Sequence, residues 1–173
     1  RSGCWVLVET LRRLTSPAVR VAAVFSTQEE VGLRGAITSA FAVHPDVGVA
    51  LDTTLAVDTP GTPDHLAVTR LGEGVAIKVR DSSTISQAWL VDALADLAVA
   101  EGIAHQFEVL PLGGTDAGAI QRSRGGVASV TLSNPSRYVH TVVEMLAKRD
   151  LEAAVALLTA FLSTPGAAVP PKA

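Results

Sequence analysis

Val21-Ala-Ala-Val-Phe25, followed by Ser26-Thr27-Gln28-Glu29-Glu30-Val31-Gly32-Leu33-Arg34-Gly35, decides the reading of this chain. The largely apolar run from Val19 to Phe25 has the length of one strand and predicts a strand covered on both faces. Two adjacent carboxylates come directly after it. In α/β proteins the loop just past a strand's carboxyl end is the usual place for chemistry. Adjacent acids there can divide the work, one taking a proton from water and the other holding a cation.

The 173 residues suit one domain with a core of useful size. With 48% apolar and 18% charged residues, disorder over the whole length is excluded. A net charge of −3 gives no basic footprint for a nucleic-acid partner. No apolar run reaches the length of a membrane span and no signal peptide is visible. The single cysteine, Cys4, rules out an internal disulfide framework and fits a cytoplasmic protein.

Outward from the carboxylate pair, helices and strands alternate. Residues 4–14 predict a helix with Cys4, Val8, Leu11 and Leu14 on its apolar stripe, where Cys4 would be a buried, inert thiol and Trp5 a packing residue. Arg34 to about Ala42 predicts a second helix, and Val47 to Leu51 a short buried strand ending at Asp52. Short extended pieces follow from Thr53 to Val79. Ile85, Trp89, Leu90, Leu94, Leu97 and Ala98 form one face of a long helix stopped by Gly102. Gln106 to Leu110 and Gly126 to Leu132 read as strands. Thr141-Val-Val-Glu144 has the form of a capping box, and Asp150 is placed to cap a last helix from Leu151 to about Leu162. Residues 1–163 thus read as one catalytic-type domain and 164–173 as a disordered tail. The fold class is α/β, a mainly parallel sheet with helices on both faces.

Four strands end in polar loops: Glu29-Glu30, Asp52, Thr115-Asp116 within a glycine cluster, and Arg137, Tyr138 and His140. On a parallel sheet all four lie on one edge. Alone, each has an ordinary explanation as surface acid, turn former or partly buried histidine. Together they form an oxygen and nitrogen ligand set that suits zinc, cobalt or manganese. The glycine loop Gly113-Gly114…Gly118 is no phosphate loop, because no Gly-Lys-Ser/Thr follows.

Ser26-Thr-Gln-Glu-Glu-Val-Gly-Leu-Arg-Gly-Ala36, Ala50-Leu-Asp52, Gly113-Gly-Thr-Asp-Ala-Gly-Ala-Ile120 and Pro135-Ser-Arg-Tyr-Val-His-Thr141 occur in one order and spacing. Together they resemble the glutamyl-aminopeptidase or tetrahedral-aminopeptidase family of dinuclear metallopeptidases. Leu71-Gly-Glu-Gly-Val-Ala-Ile-Lys and Asp81-Ser-Ser83 resemble it as well. The resemblance implies a zinc-peptidase-like, phosphorylase/hydrolase-like catalytic domain and two divalent metal ions, zinc or cobalt, with manganese as a further option. It implies that Glu29 is the general base on a metal-bridging water, that Glu30 and His140 hold one metal, and that Asp52 holds the other. Thr115, Asp116, Arg137 and Tyr138 would line the substrate cleft. The family also uses an early histidine and a bridging aspartate immediately before the segment matching Arg1-Ser-Gly3. This chain would therefore be a carboxyl-terminal part, without the first strands and the dimerisation domain, and inactive alone. The implied activity is removal of the amino-terminal residue from short peptides by an enzyme forming homo-oligomers. A related dinuclear hydrolase, such as a carboxypeptidase or amide deacylase, and a non-catalytic domain keeping the fold are the alternatives.

Overall fold

The computed structural model describes residues 1–169. Its elements run α1 (Ser2–Arg13), α2 (Arg34–Val43), β1 (Val47–Leu55), β2 (Val75–Arg80), α3 (Ala88–Ala100), β3 (His105–Val109), α4 (Asp116–Gln121), β4 (Ala128–Arg137), β5 (Met145–Leu146) and α5 (Lys148–Ser163). The sheet order is β1-β4-β2-β3, with β5 on β4. The long β1–β4 ladder is parallel, as is β2–β3, whereas β2 and β5 lie antiparallel to β4. The sheet is therefore mixed. β2 and β3 run opposite to β1 and β4.

Alternation along the strands gives the sheet two different faces. Val75, Ile77, Val130 and Leu132 join Val6, Leu90, Leu94, Ala154, Leu157 and Phe161 in the apolar core, so α1, α3 and α5 cover that face. The opposite face is polar and yet buried: Lys78, Ser129, Thr131 and Ser133 are each 0% exposed. α4 covers it closely. A Cβ built on Gly48 of β1 would lie 2.4 Å from Ile120 Cγ2, so only glycine allows this approach of helix to strand. Asp52 and Thr54 share Gly48's face by alternation.

Several expectations change. Val19 to Phe25 joins no strand, because among the described residues no neighbouring strand pairs with it, and Val24 and Phe25 are 42% and 52% exposed. The stripe Cys4, Val8 and Leu11 of α1 is exposed, and it is Val6 and Thr10 that α1 buries. Cys4 is thus a free, exposed thiol and Trp5 is 39% exposed. The helix periodicity was legible, but the apolar stripe is not the covered face. Ile85 precedes α3 and is exposed. β1 continues past Asp52 to Leu55, since the β4 ladder extends to Leu55↔Ser136. Thr141 to Glu144 caps no helix; Glu144 Oε1 instead accepts the His140 amide at 2.9 Å in a turn. Asp150 lies inside the first turn of α5, where its carboxylate accepts the amides of Gly72 (2.7 Å) and Gly74 (2.9 Å). Residues 164–169 form turns in which Ala167 and Ala168 pack on the core, and the rest of the expected tail lies outside the described residues.

Candidate functional site

The carboxylate pair is presented by a single 3-10 turn, Glu29–Val31, bracketed by left-handed residues Gln28, Gly32 and Leu33. The turn is tied down from α2, where the Gly35 amide donates to Thr27 O at 2.9 Å. A Cβ on Gly35 would meet Thr27 N at 2.4 Å, so close approach of the two backbones requires glycine. On the far side, Tyr138 (φ 60°) and His140 (φ 62°) are left-handed as well. Non-glycine residues in that region cost of order 1–3 kcal/mol each and collect at functional sites.

Glu30 and His140 come together. Glu30 Oε1 lies 3.3 Å from His140 Nε2, and both side chains face solvent. Asp52 projects from mid-strand and its Oδ1 accepts the Thr53 amide at 2.7 Å. Asp116 arrives by a different route from the one a parallel sheet predicts. β3 runs away from this edge, and the loop after it returns along the polar face, fixed by Ser82 N to Gly113 O (3.0 Å) and by the Thr115–Thr131 hydroxyl pair (2.8 Å). Asp116 Oδ2 then accepts the Ser26 hydroxyl at 2.5 Å, while its Oδ1 is buried with no partner.

The electrostatics record how close these acids are. Burial pushes Glu29 up to about 7, assisted by the charges of Asp52, Glu30 and Asp116 and opposed by His140. Burial also raises Asp52 to about 6; the Thr53 amide and Lys78 oppose it, and Asp116 and Glu108 add to it. Four carboxylates and one imidazole thus share a small region with an excess of negative charge. Such a region favours a cation. Among the described residues no three His, Cys, Asp or Glu side chains converge as one metal-holding group. What the structure supplies is one pair, Glu30 and His140, and a separate donor, Asp52. The hard oxygen and borderline nitrogen atoms, the uncompensated charge and the orphaned Asp116 Oδ1 are of a kind that fits a divalent ion.

Of the four residues expected along a cleft, Tyr138 is 51% exposed and Asp116 is partly so. Thr115 is buried and its hydroxyl is engaged by Thr131. Arg137 is held by Asp58, its Nε donating to Oδ1 at 2.7 Å, and this pairing keeps the Asp58 carboxyl below its usual range. Sequence reasoning missed Ser26, Asp58 and the buried Lys78–Glu108 pair. The available signal was the lone cation inside the apolar run Val75-Ala-Ile-Lys-Val79.

A profile of the M42 glutamyl aminopeptidase family matches residues 1–157. The lysyl aminopeptidase of Pyrococcus furiosus is 35% identical over 159 residues, covering 91% of this chain and 44% of that protein. An aminopeptidase structure from the archaeon Desulfurococcus kamchatkensis superposes with a TM-score of 0.94 at 40% identity, over 97% of this chain and 48% of that one. The Pyrococcus horikoshii TET1 peptidase, described as assembling into a tetrahedron or a large octahedral shell, matches with a TM-score of 0.68 at 37% identity, over 80% of this chain and 39% of that one. The chain spans about half the length of the curated relatives it matches. No helix among the described residues is long and apolar enough to cross a membrane. The match over nearly the whole chain, together with the clustered acids that its motifs deliver, establishes that this chain belongs to the M42 glutamyl aminopeptidase family.

Proposed function

We propose that these residues are part of a metal-dependent aminopeptidase that removes the amino-terminal residue of short peptides in the cytoplasm. The observation that carries the reading is the pairing of Glu30 with His140 at 3.3 Å beside Glu29, with the charges of Asp52 and Asp116 also felt at Glu29. Glu30 and His140 would hold one divalent ion and Asp52 a second, of zinc, cobalt or manganese type, with the remaining ligands from chain beyond these residues. When bound, two such ions lower the pKa of water and polarise the scissile carbonyl. Glu29 takes the proton of the attacking water as general base. It then returns that proton to the leaving amine. Asp116, with one oxygen fixed by Ser26, and Tyr138 flank the substrate. Thr115 and Arg137, engaged by Thr131 and Asp58, hold the walls behind them.

Residues 1–173 alone would be inactive, because two cations are not held at a catalytic separation by three ligands. The Pyrococcus horikoshii TET1 peptidase, which can assemble into a tetrahedron or a large octahedral shell, supports a homo-oligomer for the complete protein. The test is hydrolysis of chromogenic amino-acyl amides by the full-length protein with zinc, cobalt or manganese. Glu29→Gln should retain metal and lose about 10²–10⁴-fold in rate. Near-normal turnover in that variant would move the base elsewhere, and release of only carboxyl-terminal residues would make the protein a carboxypeptidase.

A further inference from the structure

Lys78 has no part in that reading, although it belongs to a motif that stands out in the sequence. It is fully buried, as is Glu108, whose Oε1 lies 2.5 Å from the Lys78 Nζ. The same oxygen accepts the Thr54 hydroxyl at 2.5 Å. On its other side Nζ is 4.0 Å from Asp81 Oδ2, which also receives the Thr115 hydroxyl at 3.5 Å. Asp81 Oδ1 is occupied by the amides of Ser83 and Thr84 and by the Ser83 hydroxyl. One continuous polar chain therefore runs Thr54–Glu108–Lys78–Asp81–Thr115 beneath the site. Its ends are the second neighbour of Asp52 and the immediate neighbour of Asp116.

A buried ion pair is a poor source of stability, because removing both charges from water costs about as much as their attraction returns. Stability alone thus gives little account of a lysine with 0% exposure. Its position gives a better one. The ammonium stands between two acids that would otherwise repel, and each acid anchors one arm of the site. Its charge also reaches Asp52.

We propose that Lys78 is a positioning residue that fixes the arm carrying Asp52 relative to the arm carrying Asp116, and so sets the geometry in which Asp52 meets a divalent ion. The inference rests on the metal reading above. Lys78 touches neither metal nor substrate and acts through Glu108 and Asp81.

The experiment uses Co²⁺ as probe in the full-length protein, following both the visible d–d spectrum and the dissociation constant. Wild type, Lys78→Met, Lys78→Arg and Thr54→Val are compared, with folding checked by circular dichroism. Loss of a partner behind a metal ligand typically costs about 10–100-fold in metal affinity. Folded Lys78→Met should fall in that range, with an altered spectrum and a reduced kcat at unchanged KM, and Lys78→Arg should recover most of the loss. Should Lys78→Met not fold, Thr54→Val decides, since it cuts the network at β1 and leaves the ion pair intact; it should weaken Co²⁺ by about tenfold, the low end of that range. Wild-type spectrum and affinity in folded Lys78→Met, or in Thr54→Val where Lys78→Met does not fold, would overturn the proposal. A wild-type protein that shows no Co²⁺ spectrum would instead overturn the metal reading on which it rests.

Discussion

Without metal, this protein should lose stability as the pH rises from 5 to 7.5, the reverse of the usual behaviour of acid-sensitive domains. Asp52 is raised from 3.8 to about 6 and Glu29 from 4.5 to about 7 by burial and crowding. A carboxyl raised in the folded state is more easily ionised in the unfolded chain. Its favourable contribution is complete below the unfolded value and is lost as pH climbs through the folded one. Between pH 5 and 7.5 the Asp52 shift costs about 1.4 kcal/mol, one unit of differential binding. The larger shift of Glu29, discounted for its partial exposure to solvent, adds about 1 kcal/mol. The sum of about 2 kcal/mol corresponds to a drop of about 4–8 °C in Tm for a chain of this size. The assay is thermal unfolding in EDTA across this range, for the protein and for Asp52→Asn, which should lose about half of the slope. Zn²⁺ or Co²⁺ should abolish it by neutralising the cluster. A flat or rising profile in EDTA, or an Asp52→Asn slope equal to that of the wild type, would refute the argument.

Three other perturbations have defined outcomes. Asp150→Ala leaves the part-buried Gly72 amide and the buried Gly74 amide without an acceptor, which should cost about 2–6 kcal/mol in urea unfolding at about 1–3 kcal/mol per orphaned group; Asp150→Asn, which keeps one acceptor oxygen, should cost less than half of that. Gly35→Ala drives a Cβ into the Thr27 backbone, so a loss of about 1–3 kcal/mol and weaker metal binding through the displaced Glu29–Val31 turn are expected, read by unfolding and Co²⁺ titration together. Asp58→Ala frees the Arg137 guanidinium, and the stability difference from the wild type should shrink as pH falls through the depressed Asp58 value, because an acid lowered in the folded state stabilises only above it.

Local signals in the sequence located most elements. α2, α3, β1, β3, β4 and α5 begin or end within a few residues of their periodic patterns, and the family motifs gathered the acids into one set. What failed was non-local. Periodicity showed that residues 4–14 were helical, but which stripe α1 buries depends on α5, and Val6 and Thr10 took the place of Cys4, Val8 and Leu11. The apolar run at Val19 to Phe25 fits a strand, yet strand status needs a partner, and none lies beside it among the described residues. The antiparallel seating of β2 on β4 could not be read from strand–helix alternation, and it reversed the direction from which Asp116 enters the site. Glu144 and Asp150 were read as helix caps because their spacing fits one; both are committed instead to amides, at His140 in the first case and at Gly72 and Gly74 in the second. Lys78 ends one family-like motif and stands as a cation in an apolar run, but neither signal shows its partners Glu108, Asp81 and Thr54, which come from three different segments.

The central claim, that Glu30 and His140 share one divalent ion while Asp52 serves a second, is tested most directly by anomalous diffraction from crystals of the full-length protein grown with zinc or cobalt. The account predicts two peaks about 3.5–4 Å apart, the usual separation in two-metal sites. One should lie between the Glu30 carboxylate and the His140 imidazole and the other at the Asp52 carboxylate, with Glu29 ligating neither. A single peak away from all three residues, or ions coordinated by Glu29 in place of Glu30, would contradict it.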